Sequence, residues 1–153
     1  MHKNILLAVD TDLKNTKALQ EVVKLSGKTT TVTMLNIIAE QDAQASVKMG
    51  THIDELKHIR HTQMAPTRET LEEHGIQYEE VIERGNPKEK IVTYANSGQY
   101  DIVVLSNRKA EAAQKFVLGS VSHKVAKRAK IPVLIVKSVS YTHLRAHETV
   151  LDL

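Results

Sequence analysis

Five runs of apolar residues punctuate this chain, and between them the apolar positions recur at helical spacing. Residues 4–9 (NILLAV) are apolar without alternation, the pattern of a strand buried on both faces. Residues 30–38 (TTVTMLNII) are β-branched and apolar and predict a second strand. Residues 76–83 alternate around Ile76, Tyr78 and Ile82, which suits a third strand near a sheet edge. Residues 102–105 (IVVL) and 132–136, from Pro132 to Val136, complete the set. Between the first two runs, Ala18, Leu19, Val22 and Val23 share one helical face, with Gly27 as the stop. Residues 39–50 show no period and predict a loop. Thr51 with Asp54 resembles a capping box opening a long helix through His74, which Pro66 should kink or split and Gly75 should end.

The sharpest helix signal is Asn86-Pro87-Lys88-Glu89: an N-cap, a proline at the first helical position and an acid at the third. Ile91, Val92 and Ala95 form its inner stripe, and Gly98 follows it. A last helix begins near Ser120, read as its N-cap, with Val121, Val125 and Ala129 facing inward. The order βαβαβαβαβ predicts a single-domain α/β fold. Its economical form is an open parallel five-stranded sheet, with right-handed crossovers and helices on both faces.

Residues 101–122 carry the candidate chemistry. A buried strand there leads through a polar loop to Gly119-Ser120 at a helix start, where backbone N–H groups and the positive end of the helix dipole favour an anion. A Gly-Ser pair at such a place also occurs as a plain cap. Asp10 follows the first strand, at the carboxyl edge where open α/β sheets bind ligands.

Composition narrows the choices. The 153 residues suit one domain, and 41% hydrophobic content suffices for a core. With no cysteine, a thiol nucleophile and an iron–sulfur cluster are excluded. The 21 basic against 18 acidic residues, one Phe and no Trp argue against a dedicated nucleic-acid surface. Without a long apolar run or a signal-peptide pattern, the expectation is a soluble cytoplasmic protein with no membrane partner. Residues 140–153 (SYTHLRAHETVLDL) depart from the βα pattern and read as a non-native or disordered tail after a domain of residues 1–139.

Several other residue groups are candidates for chemistry. His143 and His147 lack a third ligand, and His58 and His61 with Asp54 fit a solvated helix face, so no metal site is expected. Lys124, Lys127, Arg128 and Lys130 crowd a helix C-terminus, where cations meet the negative dipole end. Asp10 and Asp12 allow a magnesium-dependent phosphotransfer reading, resembling haloacid-dehalogenase-like phosphatases or receiver domains, with Ser106 and Lys137 at further receiver positions. Leu13-Lys14 stand where the phosphatases continue with Gly-Thr, and after the third strand only Glu83 stands where a receiver needs its acceptor Asp.

Nearly the whole chain up to Lys137 resembles the universal stress protein family. The carriers are NILLAVD, Gly85-Asn86-Pro87 and above all LGSVSHKVAKRAKIPVLIVK from Leu118. The family's nucleotide signature is Gly, two residues, Gly, nine residues, Gly, then Ser or Thr. Here Ser106 and Lys109 replace the first two glycines and the nine-residue spacer is kept. The resemblance implies a Rossmann-like fold of the adenine nucleotide alpha hydrolase type and an ATP site, with magnesium. Asp10 would meet the ribose, and Ala8, Ile37 and Leu105 the adenine. Ser106 and Lys109 would lie in the glycine positions, and Gly119, Ser120, Val121 and Ser122 would hold the phosphates. It also implies a homodimer through the fifth strand, whose apolar edge needs cover. The function expected is regulatory, in the stress response, without rapid catalysis: the loop has no Ser, His and Asp set and no dedicated base beside it. Slow ATP hydrolysis stays open. The alternative is a dimeric signalling module that binds no nucleotide.

Overall fold

The computed structural model describes residues 3–9, 16–107 and 119–137. Asp10, Lys109 and residues 140–153 lie outside them. The strands are β1 (Asn4–Ala8), β2 (Thr31–Ala39), β3 (Gln77–Gly85), β4 (Ile102–Asn107) and β5 (Val133–Lys137). All pair in parallel in the order β3-β2-β1-β4-β5, so β3 and β5 are the edges and β1 is central. β1 runs level with both neighbours, Leu7 lying opposite Met34 of β2 and Val104 of β4.

Helices α1 (Thr16–Leu25), α2 (Glu40–Lys48), α3 (Ile53–Gln63), α4 (Ala65–Glu73), α5 (Pro87–Ala95) and α6 (Ser120–Arg128) complete the described elements. Side chains alternate across each strand, which gives the sheet two buried faces. On one face, Ile5, Leu7, Val32, Met34 and Val104 pack with Ala18, Leu19 and Val22 of α1 and with Leu71 of α4. On the other, Leu6, Leu35, Val103 and Leu105 pack with Ile91 and Ala95 of α5 and Val125 of α6. Each large aliphatic side chain buried this way contributes about 1.5–3 kcal/mol from removal of apolar surface.

The expected α/β architecture, five strands and two-sided burial are all present. Three local expectations fail. Residues 39–50 are not a loop: most of them form α2, with Glu40 and Asp42 in its first turn and Lys48 in its last, matching the helix dipole. Only Ala43 of α2 is buried, so too little of it faces the core to leave a readable period. The Thr51 and Asp54 capping box does not form; His52 is the N-cap of α3, with no side-chain cap bond. Ser120 is the first helical residue of α6 and Gly119 its N-cap, again without a side-chain cap bond. Elsewhere local signals hold. The chain divides at Met64 just before Pro66, and Asn86 Oδ1 accepts the Glu89 N–H at 3.2 Å. Gly75 follows α4 at φ +67°, a left-handed turn that favours glycine.

Candidate functional site

In the order β3-β2-β1-β4-β5, the chain runs from β1 outward to β2 and β3, then returns to lay β4 against the other side of β1. The carboxyl ends of β1 and β4 therefore flank the topological switch point, the crevice where open α/β sheets take ligands. Ala8 closes β1 there, and Asp10 follows two residues on.

Ala8, Ile37 and Leu105 come from three adjacent strands and join one cluster on the α5–α6 face. Leu105 is buried, and Ala8 and Ile37 are half-buried beside it. They make an apolar shelf at the crevice. Val121, in the first turn of α6, packs against the same cluster, which sets the helix start at the margin of the shelf.

The start of α6 is set by a glycine. Gly119 takes an extended backbone (φ −69°, ψ 168°), and the first turn closes with the His123 N–H donating to the Gly119 carbonyl at 2.9 Å. The N–H groups of the first turn have no acceptor within a helix, and the N-cap residue, a glycine, has no side chain with which to cap them. Ser120 is exposed and Ser122 buried.

Ser106 follows Leu105, so by strand alternation it lies on the α1 face, opposite Val136 in the register. Its Oγ is buried and has no hydrogen-bond partner among the described residues. An unpaired buried hydroxyl costs about 1–3 kcal/mol, and this one sits at the end of β4 beside the switch point.

Sequence reasoning missed Asn36 and Arg60. Asn36 is buried and its Nδ2 donates to the Val9 carbonyl at 2.8 Å, while Arg60 Nη1 donates to Asn36 Oδ1 at 3.0 Å. Arg60 Nη2 also lies 3.8 Å from Asp42 Oδ2. This relay pins the backbone just before Asp10. The available signal was an amide in an apolar, β-branched run, since a buried polar side chain needs partners.

Other singled-out residues belong to scaffolding. His61 Nδ1 lies 2.5 Å from Glu80 Oε2, and Arg68 Nη1 donates to Glu80 Oε1 at 2.7 Å, tying α3 and α4 to β3. Glu83 accepts from Lys90 Nζ at 3.1 Å and from the Tyr94 hydroxyl. Near the amino-terminal end of β3, the bond from the Tyr78 hydroxyl to Glu72 raises the phenol pKa above its ordinary value. Among the described residues no three His, Asp or Glu side chains gather as a metal site, and no helix is long and apolar enough to cross a membrane.

Comparisons with known proteins agree with this geometry. The family model for the universal stress protein family matches residues 1–137. The universal stress protein YxiE of Bacillus subtilis is 27% identical over 148 residues, covering 90% of this chain and all of YxiE. The solved structure of MJ0577, a universal stress protein of Methanocaldococcus jannaschii, superposes with a TM-score of 0.77 at 28% identity, covering 90% of this chain and 96% of that one. A universal stress protein solved in complex with cAMP shares the fold at a TM-score of 0.66 and 17% identity, over 90% of this chain and 98% of its own. One from Arabidopsis thaliana with AMP bound does so at 0.61 and 18%, over 88% and 91%. With the five-stranded parallel sheet, the motif spacing and the family match over residues 1–137 in agreement, this chain belongs to the universal stress protein family.

Proposed function

We propose that this chain binds an adenine nucleotide at the carboxyl edge of its sheet and acts as a homodimeric regulatory protein, without rapid catalytic turnover. The observation that carries the reading is one juxtaposition: an apolar shelf of Ala8, Ile37 and Leu105 on the same sheet face as a helix start whose N-cap is a glycine. A planar base needs the first and a phosphate group the second. The cAMP and AMP complexes of fold neighbours support adenine as the base. In this reading Asp10 meets the ribose, Gly119, Ser120, Val121 and Ser122 take the phosphates, and Lys109 adds a point charge to them. ATP, with magnesium, is the triphosphate form to test. Dimerisation through β5 has a physical motive, because Val133 to Ile135 lie on an apolar strand at an open sheet edge.

Thermal denaturation with AMP, ATP and ATP plus magnesium is the direct test. Saturating nucleotide should stabilise the fold, by about 2.7 kcal/mol at a hundredfold excess over Kd. No shift at millimolar nucleotide refutes the binding reading and leaves a nucleotide-free signalling module. Lys109→Gly should weaken binding; tighter binding would mean the lysine obstructs the site. Light scattering should give a dimer that Val133→Lys with Ile135→Lys converts to monomer. Phosphate release from ATP faster than about one per second would contradict the regulatory assignment.

A further inference from the structure

The outer face of α6 carries a second feature. Lys88, at the start of α5, faces Ser120, His123, Lys124, Lys127 and Arg128 of α6 across an open groove of about 600 Å³. The α6 residues recur at three- and four-residue spacing and so form one stripe along the helix. No acidic side chain lines the groove, and among the described residues none of its basic side chains has an acidic partner. Its four lysines and arginines carry more positive charge than the whole chain's net +3.

Local helix electrostatics explain only part of this. Lys127 and Arg128 sit in the last turn of α6, where the dipole favours cations. Lys88 sits in the first turn of α5, where the dipole favours an acid and opposes a cation. Its charge runs against its own helix and faces the α6 stripe. Like charges gathered in one groove repel one another, and an anion that joins them relieves the repulsion.

We propose that this groove is a binding site for a compact polyphosphate, a ligand with three or four linked phosphates. The volume lies within the range of small-molecule sites, which favours a small ligand over a polynucleotide. The lining residues are all basic or hydroxylic at their tips, and their cationic heads match phosphate oxygens. The groove reaches Ser120, so two sources share this chemistry: free inorganic oligophosphate, or the phosphate chain of a nucleotide whose base lies on the shelf. The groove stands on its own residues and does not require adenine recognition.

The test is calorimetry on the full chain with sodium tripolyphosphate, ATP and adenosine at low salt. Three proteins are compared: wild type, a groove triple variant (Lys88→Gln, Lys127→Gln, Arg128→Gln) and a charge-matched control of exposed lysines elsewhere (Lys3→Gln, Lys28→Gln, Lys48→Gln). Tripolyphosphate should bind wild type and control, weaken as salt rises, and lose at least about tenfold in affinity in the groove variant. Lys88→Gln alone should show the same direction, which covers the case of a triple variant that does not fold. No tripolyphosphate binding, an equal loss in the control, or displacement by duplex DNA at equal phosphate concentration would each overturn the proposal. ATP that weakens along with tripolyphosphate in the groove variant assigns the chain to a nucleotide; ATP that is indifferent to it assigns the groove to free oligophosphate. Tripolyphosphate binding without any ATP binding keeps the groove and rejects the adenine reading. ATP binding without tripolyphosphate binding does the reverse.

Discussion

Helices α5 and α6 pack on the same face of the sheet against one cluster, yet their beginnings differ. α5 is sealed by its own sequence: Asn86 Oδ1 accepts the Glu89 N–H, and Pro87 has no N–H to satisfy. α6 begins at Gly119 with no side-chain cap. The start of α6 packs beside Ala8, Ile37 and Leu105, whereas α5 follows the edge strand β3. A helix start closed by its own cap side chain serves stability, and one that begins on a glycine leaves the pairing of its first N–H groups to partners from elsewhere.

Exchanging these roles tests the contrast, beginning with the largest effect. Gly119→Val should lower nucleotide affinity by at least about tenfold, equivalent to about 1.4 kcal/mol, because its side chain enters the phosphate approach. The ligand-free fold should lose no more than about 1 kcal/mol, since the extended backbone at Gly119 suits valine although valine is a poorer N-cap than glycine. Unchanged nucleotide stabilisation in this variant would remove the α6 start from the site.

Asn86→Ala should behave in the opposite way. It should lose about 1 kcal/mol of stability with the cap bond, lowering the melting temperature by about 2–4 °C, and leave the nucleotide response intact. Nucleotide sensitivity in this variant would show that both helix starts face the ligand.

Ser106→Ala should separate a ligand contact from a scaffold residue. The hydroxyl has no partner among the described residues, so its removal should not reduce the ligand-free stability measured by denaturant titration. If it meets the nucleotide, the stabilisation by ligand should shrink by roughly 0.5–1 kcal/mol. Stability that falls without ligand would mean the hydroxyl already serves the fold.

Gly119→Asn is the subtlest test, because it gives α6 the kind of cap α5 has. The ligand-free fold should gain only a few tenths of a kcal/mol, and nucleotide should bind more weakly because the new side-chain oxygen competes for the same N–H groups. Tighter nucleotide binding would break the comparison.

The α5 start was legible because its signal occupies four consecutive residues, each constraining the backbone of the next. Continuous apolar runs likewise announced strands covered on both faces. The start of α6 was placed one residue late, since Ser120 has a good capping side chain but Gly119 takes the capping position. α2 was missed because it is held by its terminal charges and its packing on α3 and β2, with a single buried residue to mark it. In the candidate site, motif spacing pointed to Gly119 and Ser120. The Asn36–Arg60 contact spans 24 positions and left only a lone amide in an apolar run as its trace.

By itself, then, the sequence determined five strands buried largely on both sides, helices between them, and a Gly-Ser start after the fourth strand, because such features depend on periodicity and capping among near neighbours. Only the tertiary structure decided that β4 turns back to lie beside β1, that Ala8, Ile37 and Leu105 meet on one face, and that Lys88 faces the cations of α6. Those are contacts between residues far apart in the chain. They are chosen by which apolar faces can be buried together, and no single stretch of residues contains that choice.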